Sequence, residues 1–217
     1  MKLYLDTAKV QEWDDLMPFG IFSGITTNTL LASRAGLQYG SIDWPVLFQR
    51  AADLGATELH AQVYGDPARY IDWAGALYEA GRAAGIDAVV KVPMVAPALK
   101  QFSGIQALGG KTLLTAAYGA QQALVANAFG ATYLAPYLGR MRDTGVDDIA
   151  ALAQMVGVTK QGACQVLAAS IRSTDHLMQI AAAGAPCATF NADVAQALID
   201  NPASIAAWEE FEDAAKG

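Results

Sequence analysis

Eight short apolar runs, each followed by a longer stretch of helical character, constrain this chain more than any other feature. The runs fall at 2–7, 21–26, 57–64, 87–93, 111–116, 131–137, 164–170 and 186–191. The intervening stretches fall at 8–17, 28–36, 43–54, 67–84, 96–108, 119–129, 146–161 and 173–183, and many open on or just after Asp, Asn, Ser or Pro, as helix starts prefer. Gly36, Gly55, Gly85, Gly109, Gly130 and Gly184 stand where such helices should stop. Runs with little polar alternation suit strands covered on both faces, which is the parallel arrangement. Eight β-then-α units in 217 residues predict an α/β fold of one domain, residues 1–217, closed as a (β/α)8 TIM barrel rather than opened as a doubly wound sheet. No strand is followed by G-x-G-x-x-G, so no dinucleotide cofactor is expected. Beyond the eighth strand, 192–199 reads as a helix and 202–215 as an extra C-terminal helix. Trp208 and Phe211 share one face of that last helix, which must bury them on this barrel or on a neighbouring subunit.

Within this frame one lysine is out of place. The fourth run, Asp87-Ala88-Val89-Val90-Lys91-Val92-Pro93, carries an amine in an otherwise apolar β-branched strand. Burial disfavours the charged ammonium, and a neutral amine attacks carbonyl carbon to give a Schiff base. A lysine whose head snorkels out at the strand end is the competing reading. In a barrel the C-terminal strand ends form the active site, so the other polar residues there bear on the choice. They are Asp6, Thr26, Asn28, Gln62, Thr115, Tyr137, Ser170 and, just beyond, Arg140 and Arg172. Taken singly, Asp6, Thr26 and Asn28 suit helix caps, Tyr137 suits a core phenol, Gln62 and Thr115 suit mutual hydrogen bonding, and the arginines suit solvated loops. Their joint gathering around one lysine is the arrangement that Schiff-base chemistry needs. His60 reads as a neutral core histidine, His176 as a surface residue, and Met141, Met155 and Met178 as core filler.

Composition narrows the class further. The net charge of −7 and pI near 4.7 argue against a nucleic-acid surface, so an anionic ligand must be held by a few local groups. Hydrophobic residues make up 53% and charged ones 16%, enough for a large core. Cys164 and Cys187 lack metal-ligand spacing and read as reduced, buried thiols. No signal-peptide core opens the chain and no apolar run spans a bilayer, so the expectation is a cytoplasmic protein with no membrane partner, no metal and no cofactor.

The same segments carry a family resemblance. Leu3-Tyr4-Leu5-Asp6-Thr7, Gly24-Ile25-Thr26-Thr27-Asn28, Ala61-Gln62-Val63, Lys91-Val92-Pro93, the run from Thr115 through Gln121, Ala135-Pro136-Tyr137 and Val166-Leu167-Ala168-Ala169-Ser170 together resemble the transaldolase family, in its small branch with fructose-6-phosphate aldolase. The likeness runs from Leu3 to about Leu198. It implies a metal-free class I aldolase in which Lys91 forms the Schiff base. Asp6 would assist proton transfer and hold donor hydroxyls with Thr26 and Asn28. Gln62 and Thr115 would position a water, and Tyr137 would act as acid/base group or orient that water. Arg140, Ser170 and Arg172 would take a sugar phosphate. Tyr at 137 and Gln at 62 resemble the aldolase branch, which forms and cleaves fructose 6-phosphate from dihydroxyacetone and glyceraldehyde 3-phosphate. The alternative is a transaldolase that moves the three-carbon unit between sugar phosphates of the pentose phosphate pathway. A non-catalytic sugar-phosphate-binding barrel is a remote third reading. A barrel of the deoxyribose-phosphate aldolase kind lacks support, because no second lysine stands at a strand's C-terminal end. The chain departs from the family's pattern at Thr29, His60, Val95 and Gly139, which bears on acceptor and substrate. The family's small members also imply a homo-oligomeric ring, a decamer among the options, with the last helix exchanged between neighbours.

Overall fold

The computed structural model describes residues 1–216 and closes eight parallel strands in the order β1 to β8. The elements run β1 (Lys2–Asp6), α1 (Val10–Leu16), β2 (Phe22–Thr26), α2 (Thr29–Arg34), α3 (Trp44–Asp53), β3 (Glu58–Gln62), α4 (Tyr70–Ala84) and β4 (Asp87–Pro93). They continue with α5 (Ala96–Leu99), α6 (Phe102–Gln106), β5 (Lys111–Ala117), α7 (Gln122–Phe129), β6 (Tyr133–Pro136), α8 (Leu138–Asp143) and α9 (Asp148–Thr159). The last are β7 (Gln165–Ala168), α10 (Thr174–Ala182), β8 (Cys187–Phe190), α11 (Ala192–Ile199) and α12 (Pro202–Lys216). All eight expected strands are present, and β4 has the expected bounds.

Alternation along the strands divides the apolar residues into two layers. Leu5, Ile25, Leu59, Val90, Leu114, Leu134 and Val166 face outward into the layer shared with the helices. Tyr4, Val89, Leu113, Tyr133, Ala135, Leu167, Ala169 and Cys187 pack inside the barrel. Register places Thr26, His60 and Val89 side by side on β2, β3 and β4, and Gln62 beside Lys91. Side chains of Asn28, Asp43, Asp147, Ser173 and Asn191 cap the helices that follow them. Gly85 and Gly130 end α4 and α7 in left-handed backbone.

Several expectations are corrected. The stretch 96–108 is two short helices broken around Lys100 and Gln101. A six-residue helix, α8, follows β6 directly. His176 is a core residue, 1% exposed, because Ser173 starts α10 so that His176, Leu177 and Ile180 share its buried face. Met178 on the opposite side is 64% exposed. His176 Nε2 lies 2.7 Å from Asp148 Oδ2, while Asp148 Oδ1 accepts from Arg142 Nε at 3.0 Å, so one buried carboxylate ties α8, α9 and α10. Both cysteines are free and buried. α12 buries none of its residues on its own barrel, leaving Trp208 59% and Phe211 70% exposed. No helix among the described residues is long and apolar enough to cross a membrane.

Beneath the strand ends the barrel interior holds a polar plug. Glu58 is buried, and its carboxylate accepts from Tyr4 Oη at 3.0 Å, His60 Nε2 at 2.9 Å and Lys111 Nζ at 2.6 Å, with Tyr133 Oη 3.0 Å from Oε1. Lys111 also pairs with Asp87 at 2.7 Å. Burial alone would raise the Glu58 pKa, but His60 and Lys111 hold it well below the ordinary carboxylate value. Burial lowers the His60 pKa against the pull of Glu58, in keeping with a neutral core imidazole.

Candidate active site

A cavity of about 270 Å³ opens at the C-terminal ends of the strands. Its wall includes Asp6, Thr26, Asn28, Lys91, Thr115, Tyr137, Arg140, Ser170 and Arg172. Of the residues singled out from the sequence, only Gln62 is absent from that wall. Its backbone N–H and C=O are both bound by Tyr39 Oη, at 2.7 and 2.8 Å. Its place beside Lys91 in the β3–β4 register still turns its side chain to the barrel interior.

Lys91 is 5% exposed, and Nζ donates to Thr27 O at 2.8 Å, reaching from β4 past β3 to the end of β2. Burial lowers its pKa, and the Asp6 carboxylate opposes that shift. The snorkelling alternative is therefore excluded: the head group remains inside. Thr26 Oγ1 donates to Asp6 Oδ1 at 2.6 Å and lies 2.7 Å from Thr189 Oγ1. Thr189 was not distinguished in the sequence, although its place near the end of the eighth run was visible.

Opposite, Thr115 Oγ1 donates to Tyr137 Oη at 3.0 Å. A bulge in β5 makes this contact possible. Ala116 takes φ 60°, the register slips between Thr115 and Ala117, and Ala117 O then accepts from Tyr137 N at 3.0 Å. Burial raises the Tyr137 pKa, with the Thr115 hydrogen bond opposing. The Arg140 guanidinium carbon lies 4.8 Å from the Tyr137 ring centroid, and Arg140 Nη1 donates to Tyr118 Oη at 3.3 Å.

Ser170 has φ 61°, a left-handed backbone that is unusual for a residue with a Cβ and that directs Ser170 O to Gly139 N at 3.0 Å. A Cβ on Gly139 would lie 2.2 Å from Ser170 O and 2.6 Å from Arg172 Nε, so glycine is required for α8 to approach the loop after β7. Arg172 crosses this gap and donates Nη2 to Asp143 Oδ2 at 2.6 Å. The cavity thus joins a buried lysine of lowered pKa, a carboxylate, a phenol–hydroxyl pair and three arginines, Arg34, Arg140 and Arg172. Such a set can supply a nucleophile, proton-transfer groups and an anion clamp. Asn28 is both a wall residue and a cap, its Oδ1 accepting from Leu30 N and Leu31 N at 2.9 Å each. Arg34 lines the cavity as well, a residue the sequence reading passed over.

Solved structures similar to this one share its fold at low identity. A mandelate oxidase variant superposes with TM-score 0.61 at 18% identity, over 90% of this chain and 66% of the oxidase. The thiamine phosphate pyrophosphorylase from Pyrococcus furiosus gives 0.61 at 14%, over 89% and 87%. Similarity in sequence is closer elsewhere. A probable transaldolase of Phenylobacterium zucineum is 32% identical, over 97% of this chain and 94% of the relative, and one of Herpetosiphon aurantiacus is 33% identical, over 99% and 98%. The family described as Transaldolase/Fructose-6-phosphate aldolase matches residues 3–216. The barrel, its buried strand lysine and this match over nearly the whole length place the chain in the transaldolase/fructose-6-phosphate aldolase family.

Proposed function

We propose that this chain is a Schiff-base aldolase that cleaves and forms fructose 6-phosphate, and that Lys91 is its nucleophile. The observation that carries the reading is the enclosure of Lys91 Nζ in the same cavity as the Thr115–Tyr137 and Thr26–Asp6 pairs. The neutral amine adds to the C2 carbonyl, and loss of water gives an iminium. The C4 hydroxyl proton passes to Asp6 through a water held by Tyr137, and the C3–C4 bond breaks with its electrons moving into the iminium. Glyceraldehyde 3-phosphate leaves. The remaining enamine takes a proton at C3, and water hydrolyses the iminium to free dihydroxyacetone and Lys91. Gln62 and Thr115 position that water, Thr26 and Asn28 hold donor hydroxyls, and Arg140, Ser170 and Arg172 hold the phosphate.

A transaldolase is the second reading, favoured by the names of the relatives, each a probable transaldolase. Release of glyceraldehyde 3-phosphate from fructose 6-phosphate without an acceptor separates the two. Steady release over many turnovers supports the aldolase. A burst equal to the enzyme concentration that resumes with erythrose 4-phosphate supports the transaldolase. Borohydride with the ketose adds covalent mass in both cases, and a protein that only binds sugar phosphates gains none. The reading extends to a cytoplasmic ring of identical subunits in which α12 packs on a neighbour, since its aromatic face has no partner on its own barrel.

A further inference from the structure

Strand β3 outlasts its neighbour β2. The last rung between them is Thr27 N donating to His60 O at 2.9 Å, and by Thr29 the chain has turned into α2. Backbone groups of successive strand residues point to opposite sides, and Val63 N donates to Lys91 O at 3.0 Å on the β4 side. The N–H and C=O of Gln62 therefore face the side that β2 has left, where a rung of the ladder is missing. Main-chain groups inside a fold are almost always paired, so the gap calls for a partner from elsewhere.

Tyr39 supplies it. Its Oη accepts from Gln62 N at 2.7 Å and donates to Gln62 O at 2.8 Å, so one hydroxyl stands in for both partners that a strand would offer. Burial raises the pKa of this phenol, which keeps the proton that Gln62 O requires. The ring is wedged among three others, with centroids 5.5 Å from Trp44, 5.2 Å from Tyr64 and 6.4 Å from Trp73. Tyr39 opens a single turn of 3-10 helix (Tyr39–Ser41) between α2 and α3, and this aromatic packing fixes where that turn presents its hydroxyl.

The height of the pinned residue gives the contact its meaning. Gln62 is the register partner of Lys91, and Lys91 Nζ donates to Thr27 O, the residue at which β2 departs. The place where β2 and β3 part thus holds both the acceptor of the amine and the rung that Tyr39 completes.

We propose that Tyr39 is a positioning residue for Gln62, and that its hydroxyl sets the Gln62 side chain beside Lys91 for hydrolysis of the three-carbon iminium. This role rests on the aldolase reading above, in which Gln62 helps to hold the hydrolytic water. In that step water adds to C2 of the iminium, both of its protons end on the nitrogen, and the C2–Nζ bond breaks to give dihydroxyacetone and the Lys91 ammonium. Tyr39 itself lies outside the cavity wall and acts only through the main chain of Gln62. A displacement of about 1 Å at a reacting group can cost on the order of 10²-fold in rate, so a pin on the backbone of Gln62 is enough to matter.

The test is a double-mutant cycle read on one step. Enzyme loaded with dihydroxyacetone is diluted into buffer, and the adduct that borohydride traps is followed as it hydrolyses. Tyr39→Phe keeps the ring among Trp44, Tyr64 and Trp73 and removes only the hydroxyl. The decay is expected to slow about 10-fold, with KM for fructose 6-phosphate within about threefold of the parent. Gln62→Ala keeps the main-chain groups and removes only the side chain, and in that background Tyr39→Phe is expected to add no further slowing. An unchanged decay in Tyr39→Phe overturns the proposal. Equal slowing in both backgrounds also overturns it, because a general loosening of the fold would act with or without the Gln62 side chain. Amide hydrogen exchange reads the pin in the unaltered protein, where the Gln62 amide is expected to be protected within about 10-fold of the mid-strand amide of His60. A freely exchanging Gln62 amide overturns the proposal even if Tyr39→Phe fails to fold. Failure of the aldolase reading is seen separately, as absence of any trapped adduct with dihydroxyacetone while the Gln62 amide stays protected.

Discussion

Lys91 Nζ and Thr27 O, 2.8 Å apart, join two strands that are not neighbours, β4 and β2, across the width of β3. This bond fixes the amine inside the barrel, where burial lowers its pKa from the ordinary 10.5 and Asp6 partly restores it. Only the unprotonated amine attacks a carbonyl. The initial rate of borohydride-trapped adduct formation with dihydroxyacetone should therefore rise with pH through a midpoint below 10.5. Asp6→Asn removes the charge that favours the ammonium and should move the midpoint lower still. Lys91→Ala should give no adduct, with an unchanged circular dichroism spectrum. A midpoint at or above that of a free lysine would remove the basis for an activated nucleophile.

Tyr137 and Thr115 make the second test. Tyr137→Phe deletes the phenolic proton and should lower kcat by about 10²-fold, with KM changed by less than about threefold. Thr115→Val removes only the hydroxyl that donates to Tyr137 and should cost less. Steady-state kinetics on fructose 6-phosphate decide the matter, and a full-rate Tyr137→Phe enzyme would take proton transfer away from this residue.

Gly139 has no room for a side chain. Gly139→Ala forces apart Ser170 O and the Arg172 side chain and should destabilise the fold by about 1–3 kcal/mol, read as a lower Tm. Because the displaced groups are those assigned to the phosphate, KM should rise more for fructose 6-phosphate than for unphosphorylated fructose. An equal change for both sugars would detach Gly139 from the anion clamp.

Glu58 offers a test of the plug. Its folded pKa lies below the unfolded value of about 4.5, so its contribution is fully present above that pH and is lost as pH falls through the folded value. Glu58→Gln should cost about 3 kcal/mol at pH 7 and progressively less below pH 4.5, measured by urea unfolding at pH 7 and pH 3. A gap that widens toward acid would contradict the sign.

Removal of residues 202–217 addresses the assembly. The exposed Trp208 and Phe211 on α12 lead to the expectation that the truncated chain elutes as a smaller species by light scattering after gel filtration. An unchanged mass would rule out exchange of this helix.

The barrel was legible in the sequence because eight strands buried on both faces leave nearly uninterrupted apolar runs, broken mainly by the polar residues of the mouth and of the Glu58 plug. Lys91 stood out for the same reason. His176 and Met178 were exchanged between core and surface because side-chain type was weighed there over helix phase. Once Ser173 starts α10, position 176 falls on the buried face with Leu177 and Ile180, and a carboxylate from α9 makes that burial tolerable for an imidazole. The split of 96–108 into α5 and α6 left no punctuating Gly or Pro at the break. Arg34 was readable from its three- and four-residue spacing to Leu31 and Leu30, but only closure of the ring shows that this face looks into the mouth. The Thr115–Tyr137 contact depends on the Ala116 bulge, for which the sequence carries no glycine signal.

The Glu58 plug also governs traffic. With Tyr4, His60, Tyr133 and Lys111 all bound to one carboxylate, side chains fill the lower end of the cylinder, and the cavity that holds Lys91 opens at the other end. On the proposed chemistry, an aldehyde lodged in that opening shuts out the water that would hydrolyse the three-carbon intermediate. Lyase and transferase outcomes then become a contest for that opening, settled by which visitor arrives first after glyceraldehyde 3-phosphate departs.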